Sequence, residues 1–422
     1  MLILYRLLAI LTAPFLLWRL QRPASGDASL LERRRERLGR VASAGDGPLW
    51  VHAASVGEVN AVRALVLELV ARYPERRVVV STFTISGARQ AMRLFADRVE
   101  HRLAPMDTPA ATRRWLACIQ PVVGLIAETE LWPELFHQSR KAGIALVLVN
   151  ARLSKRGLTR SRRLRGLFAN TLAAVHLALC QSNEDARRLV ELGLAEDTVR
   201  VTGNLKFDLG LPDDLGQKAR QLRAQWGERR AWVAGSTRPG EEAILLEAHQ
   251  QLLKRYADAL LILVPRHPER ANEIDALTVK AGLRLQRFDQ SVEAATSVVL
   301  VDRIGQLQAC YAAAAAAFVG GSLVDIGGHN LLEPAACGKG VMAGPYLYNQ
   351  QEMADALDKA GALIKVTNAE QIATEVDRVW SEPEQALSLG RAALEVVERG
   401  RGSLKKTLRQ MEPLLPGPSE NP

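Results

Sequence analysis

Residues 318–345 read FVGGSLVDIGGHNLLEPAACGKGVMAGP. A short apolar run ends here in Gly320–Gly321, and a second glycine pair, Gly327–Gly328, leads into His329–Asn330–Leu331–Leu332–Glu333–Pro334. A small-residue helix (Ala335, Ala336, Cys337, Gly338) and another apolar run, Gly340–Ala343, follow. Strand, glycine loop, helix, strand is the order of a nucleotide-binding α/β half. There, backbone N–H groups and a helix N-terminus face a phosphate outside the carboxyl ends of the strands. Glu333 falls where a carboxylate accepts from ribose hydroxyls or a base. An ordinary βαβ turn, its glycines only relieving strain, has the same pattern.

Working outward, the same rhythm runs through the chain. Apolar runs at 49–53, 77–81, 101–104, 122–127, 145–150, 177–181 and 199–202 alternate with amphipathic helical patterns. The rhythm stalls at DLGLPDDLG, 208–216, then resumes at 232–235, 260–264, 298–301, 315–319, 341–343 and 363–366. Strands alternating with helices predict parallel, doubly wound sheets, and the stall predicts two Rossmann-like halves. The expected layout is an N-terminal anchor at 1–22, a first domain at 30–205 and a linker at 206–220. A second domain at 221–411 and a disordered tail at 412–422 complete it.

The net charge of +9 is concentrated. Residues 1–40 carry net +5 and residues 152–165 net +7, so the rest of the chain is slightly acidic. Local basicity of this kind suits anionic lipid or phosphate. Aromatic residues are only 5%, without the aromatic–basic interleaving that single-stranded nucleic acid needs, so no nucleic-acid partner is expected. The four cysteines (118, 180, 310, 337) form no C-x-x-C, the histidines show no metal-ligand spacing, and no metal is expected. The uncharged run Leu7–Trp18 is 12 residues long and contains Pro14, well short of a spanning helix. With Arg6, Arg19 and Arg22 around it, it reads as a helix lying in a membrane interface, with an uncleaved signal anchor as second choice.

Polar constellations follow the predicted strands. His52–Ala–Ala–Ser–Val–Gly–Glu58 puts a carboxylate at a strand end, where a sugar hydroxyl finds a base; Glu58 also suits a helix dipole. In AETELWPE, Pro133 fits the first turn of a helix and leaves Glu128 and Glu130 on the preceding loop. Arg152, Lys155 and Arg156 open the basic cluster, which reads as a phosphate-bearing acceptor site or as a solvated helix face. Lys206, in GNLKFD, is a cation able to meet a leaving phosphate. In the second half, the Ser236 and Thr237 hydroxyls after one strand, Pro265–Arg266 after the next and the helix-opening Ile304–Gly305–Gln306 lie at strand ends on one rim.

With both rims in view, the chain resembles the 3-deoxy-D-manno-octulosonic acid (Kdo) transferases of lipopolysaccharide synthesis. The resemblance runs through RERLGR, HAASVGEVN, STFT, AETELWPEL, NARLSKR, GNLKFD, AGSTRPGEE, PRHPER and VGGSLVDIGGHNLLEP. It implies an α/β GT-B fold, two Rossmann-like domains facing a cleft. It also implies a CMP-Kdo donor, lipid IVA as acceptor and a place on the cytoplasmic side of the inner membrane. The reaction it implies is metal-independent and inverting. By the same resemblance Glu58 is the general base, and Glu128 and Lys206 stabilise the transition state. Pro265, Arg266, Ile304, Gly305, Gln306, Asn330, Leu331, Leu332 and Glu333 contact CMP. The chain departs from the family pattern at Gln306, Leu331 and Tyr346 on the nucleotide rim and at Gly157. Two other readings remain at this point: a glycosyltransferase using a different nucleotide sugar on a lipid acceptor, and a degenerate membrane-bound nucleotide- or lipid-binding protein.

Overall fold

The computed structural model describes residues 1–20, 33–45, 47–162, 164–208, 211–288, 290 and 292–417. Parts of the expected anchor (21–22), linker (209–210) and tail (418–422) therefore lie outside the described residues. Two compact units result: Met1–Asp208 together with Gly400–Pro422, and Leu209–Arg399.

The first unit is built on seven strands: β1 (Leu49–His52), β2 (Val78–Thr82), β3 (Glu100–Leu103), β4 (Val123–Ala127), β5 (Ala145–Ala151), β6 (Val175–Cys180) and β7 (Val199–Val201). Their order is β3-β2-β1-β4-β5-β6-β7, all parallel. Central strands such as LWVH and VGLIA are buried along their whole length. Apolar side chains on both faces are what a parallel sheet covered by helices demands. Successive residues of β1 divide between the two layers. Leu49 and Val51 join Val59, Leu65 and Phe95 on one face, while Trp50 packs with Trp115 and Phe136 on the other.

The second unit repeats the plan with β8 (Ala231–Thr237), β9 (Leu260–Pro265), β10 (Leu285–Arg287), β11 (Val298–Leu300), β12 (Ala316–Val319), β13 (Val341–Ala343) and β14 (Leu363–Lys365). Their order is β10-β11-β9-β8-β12-β13-β14, again all parallel. Setting aside one edge strand from each, both sheets have the doubly wound order 3-2-1-4-5-6. The order reverses between β1 and β4 in one and between β8 and β12 in the other. Ligands of open α/β sheets bind beyond the carboxyl ends of the strands at such a reversal.

Three expectations need correction. The second domain does not run to 411: the helix Ser403–Met411 belongs to the first unit, where Leu408 and Met411 enter the core layer of Leu49 and Val51. Nor is the tail from 412 disordered throughout, because Glu412–Leu414 form a 3-10 turn and Leu415 is buried in that same layer. The linker also starts later than 206, since Leu205–Phe207 form a 3-10 turn with Leu205 and Phe207 buried.

At the N-terminus a helix spans Leu2–Leu20 and continues through Pro14. No helix among the described residues is long and apolar enough to cross a membrane. The helix exposes an apolar surface that includes Ile3 (73%), Leu11 (75%), Phe15 and Trp18. Polar contacts hold it to the first unit. The Tyr5 hydroxyl donates to Asp107 at 2.6 Å, and Arg6 donates to both oxygens of the buried Glu134 at 2.6 and 3.2 Å. Asp107 in turn accepts the Glu134 and Leu135 N–H groups at 3.0 and 2.7 Å, the first turn of the helix Pro133–Lys141.

Candidate active site

Glu58 sits in the first turn of the short helix Val56–Ala61, directly after β1. Ser55 precedes this helix and Glu58 lies three residues on, the spacing of a capping box. The bonds differ from a simple cap, because the Ser55 hydroxyl donates to the carboxylate at 2.6 Å and the Ala54 N–H donates to its other oxygen at 2.8 Å. Glu58 is only 7% exposed. Burial, then the neighbouring Glu130 and Glu128 charges, push its carboxyl from the ordinary 4.5 up to about 7, against the two bonds that favour ionisation.

Across the reversal, Glu128 follows β4 with φ +52°, a left-handed conformation that non-glycine residues seldom adopt. Its N–H is tied to the Val149 carbonyl at 2.9 Å. Its carboxylate meets Arg152 Nε at 3.1 Å and Lys206 Nζ at 3.5 Å. Glu130, whose carboxyl burial also raises, accepts from Trp132 Nε1 at 2.6 Å. The Trp132 ring stands edge-on to Phe83 and His52. Arg37, from the RERLGR stretch, lies over Phe83 at 4.7 Å and donates to its carbonyl.

Lys206 is positioned by a buried amide relay. The Asn150 carbonyl accepts from Gln181 at 2.9 Å, Gln181 accepts from Asn204 at 3.1 Å, and Asn204 accepts the Lys206 N–H at 3.0 Å. Asn150 itself sits at φ +54°, and its side chain accepts the Leu205 N–H at 2.9 Å. Asparagine tolerates that conformation better than most residues. Carboxyl strand ends β1, β4, β5, β6 and β7 thus converge on one cluster of three carboxylates and two cations. Of the expected acceptor residues, Arg152 is drawn into this cluster, while Lys155 and Arg156 are exposed on the helix Lys155–Arg162. Arg163 of the basic cluster lies outside the described residues.

The second unit corrects the expected glycine cradle. Gly321, Ser322 and Leu323 donate their N–H groups, at 2.7, 3.0 and 2.9 Å, to the carboxylate of Glu241, which also accepts from the Arg238 N–H at 2.9 Å. A buried carboxylate of the protein itself, rather than a phosphate, fills this nest. Gly320 cannot carry a side chain, because a Cβ would stand 2.6 Å from the Ser236 carbonyl oxygen. The Thr237 hydroxyl is also spent, donating to Glu242 at 3.1 Å within the buried Glu242–Arg270 pair.

Of the expected CMP contacts, Pro265 ends β9 and Arg266 donates its N–H to the Thr237 carbonyl at 3.1 Å. Ile304 is exposed, Gly305 turns at φ +91°, and Gln306 opens the helix Leu307–Ala313. Asn330 accepts the Leu332 N–H at 3.1 Å and so starts the short helix that carries Glu333. The side chains of Leu331 and Leu332 are buried and so withdrawn from any ligand. Around them, Arg238 reaches His329 Nε2 from Nε at 3.2 Å and His267 Nε2 from Nη1 at 2.7 Å. Sequence reasoning assigned no role to Arg238, Glu241, Glu134 or the Asn150–Gln181–Asn204 relay. Only the two early acids of the helix Glu241–Leu253 hinted at one. Among the described residues no group of three His, Cys, Asp or Glu could hold a metal ion.

Two doubly wound parallel units, each gathering polar side chains where its strand order reverses, have the architecture of glycosyltransferases of the two-Rossmann class. The glycosyl transferases group 1 family model matches residues 229–396. UDP-GlcNAc 2-epimerase from Neisseria meningitidis, crystallised with UDP-GlcNAc, has the same fold: TM-score 0.56 at 14% identity, over 86% of this chain and all of that one. The family model described as 3-deoxy-D-manno-octulosonic-acid transferase (kdotransferase) matches residues 32–209. The 3-deoxy-D-manno-octulosonic acid transferase of Haemophilus influenzae is 36% identical over 91% of this chain and 92% of its own. That of Bordetella pertussis is 34% identical over 94% and 95%. The chain belongs to the 3-deoxy-D-manno-octulosonic acid transferase family.

Proposed function

We propose that this Kdo transferase takes Kdo from CMP-Kdo and transfers it, with inversion, to lipid IVA at the cytoplasmic face of the inner membrane. The observation that carries the mechanism is Glu58, a buried carboxyl held near pH 7 at the reversal of the first sheet. A general base works best when its pKa lies close to the working pH, so that it is often ionised and still takes a proton. A glucosamine hydroxyl of the acceptor attacks the anomeric carbon. Glu58 takes the hydroxyl proton, the new C–O bond forms, and the bond to the CMP phosphate breaks with its electron pair leaving on CMP. Lys206, aligned by Glu128 and the amide relay, supplies fixed positive charge as negative charge develops. The exposed apolar side of Leu2–Leu20 and the basic helix Lys155–Arg162 suit an anionic lipid surface carrying a phosphorylated acceptor.

The test is a mass spectrum of lipid IVA after incubation with the full-length protein and CMP-Kdo. Addition of one or more Kdo masses supports the reading, and an unchanged lipid beside an active reference transferase refutes it. Glu58→Gln should lower the rate by about 10²–10⁴-fold with CMP binding intact; a rate close to the parent's removes Glu58 as base.

A further inference from the structure

Six backbone donors of the glycine loop of the second unit are bound within the protein. Three of its N–H groups go to Glu241, those of Gly320, Gly328 and His329 to carbonyls of Gly235, Gly321 and Gly320. An anion at this rim finds those six donors taken, which gives side-chain donors a part in binding it. Arg238 leaves β8 at the reversal point, two residues after Ser236, which takes φ +57° where the register with β9 shifts. Its guanidinium spans from the loop after β9, at His267, to the loop after β12, at His329. Both partners are imidazoles. Burial and the nearby Arg238, Arg266 and His267 charges hold His329 down at about 4, so it accepts as a neutral ring. Among the described residues no carboxylate pairs with the Arg238 guanidinium, so its charge stays uncompensated. Two of its five N–H donors serve to orient it, and the other three remain in the fork geometry that matches an oxyanion.

We propose that Arg238 is the anion grip of the donor site: a guanidinium braced by two imidazoles that binds an oxyanion of the nucleotide sugar. The inference rests on the CMP-Kdo reading above, and that donor carries two such groups, the nucleotide phosphate and the sugar carboxylate. The experiment separates them. Full-length protein, Arg238→Gln and Arg238→Lys are titrated calorimetrically with CMP and with cytidine, and the KM for CMP-Kdo is measured. Circular dichroism and a melting curve verify that each variant is folded. Losing a charge-assisted hydrogen bond predicts a fall in affinity of about 10–100-fold. If the phosphate is gripped, Arg238→Gln loses CMP affinity by this factor while cytidine binding holds. If the carboxylate is gripped, CMP affinity holds and the KM for CMP-Kdo rises by the same factor. In either case lysine restores only part of the loss, because it lacks the fork. A folded Arg238→Gln with CMP affinity and KM both within about twofold of the parent overturns the proposal, since that is well below the effect of such a bond. If the parent itself fails to use CMP-Kdo, the donor reading falls. The contrast between CMP and cytidine then decides for Arg238 alone: a selective loss of CMP affinity upholds the grip, and none overturns it.

Discussion

Replacing Glu58 with glutamine should stabilise the first unit above pH 7 while it removes the base. Folding raises the Glu58 carboxyl from the ordinary 4.5 to about 7, chiefly by burial. Below pH 4.5 the folded and unfolded chains both hold the proton, and the group contributes nothing. Between 4.5 and 7 the unfolded chain gives the proton up first, so the folded state loses stability as pH rises. Above 7 the whole cost is present, about 3 kcal/mol at 1.36 kcal/mol per pH unit. Glutamine cannot ionise and escapes that cost. Its amide oxygen can still accept from Ala54, and its NH₂ can donate to Ser55 if that hydroxyl turns, with a loss of about 1 kcal/mol. The net gain at pH 8.5 is then about 2 kcal/mol, or about 4–8 °C for a unit of this size. Thermal unfolding of parent and Glu58→Gln at pH 4.5 and 8.5 is the assay. The variant should melt no higher than the parent at the lower pH and clearly higher at the upper. Equal melting differences at both pH values would refute the claim that the fold holds this carboxylate against its desolvation.

The parent's kcat/KM should rise with pH through about 7 as Glu58 loses its proton, which a pH–rate profile checks; a profile flat from pH 5.5 to 8.5 would point to another base. Asn150→Ala removes the acceptor for the Leu205 N–H and puts alanine at φ +54°. It should cost about 2–4 kcal/mol in urea unfolding and lower kcat by displacing Lys206. Arg6→Met takes the cation from the buried Glu134 carboxylate, at somewhat below the about 3–5 kcal/mol of a fully buried pair because Arg6 is 28% exposed and the Gln138 amide still donates to Glu134 at 2.6 Å. Faster proteolytic release of the helix Leu2–Leu20 than in the parent is the expected sign.

Much of the fold was legible because a parallel sheet covered on both faces is written as unbroken apolar runs. Val123–Ala127 and Leu260–Pro265 need no tertiary context to be read as strands. β10 is Leu285–Gln286–Arg287, half-buried at every position, and leaves no such run. The helix Ser403–Met411 is visibly amphipathic, but amphipathicity states that a helix needs a core and not which one. At the candidate site, Glu58, Glu128 and Lys206 stood out as charges at strand ends. What holds them did not stand out. The relay through Asn150, Gln181 and Asn204 joins residues far apart in sequence, each satisfying a neighbour's backbone or amide group. The glycine loop misled for a related reason: its pattern reports that N–H groups converge, but not that Glu241 already occupies them.

The return of the last helix to the first unit bears on how the protein is made. Leu408, Met411 and Leu415 belong to the same apolar layer as Leu49 and Val51. On a ribosome, which delivers the N-terminal part first, that layer stays incomplete until all of Leu209–Arg399 has been synthesised. The intervening unit is contiguous in sequence and can close its own core earlier, while the first waits with apolar surface uncovered. A stalled or clipped chain lacking its final twenty residues would thus be damaged at the opposite end, in the unit that carries Glu58.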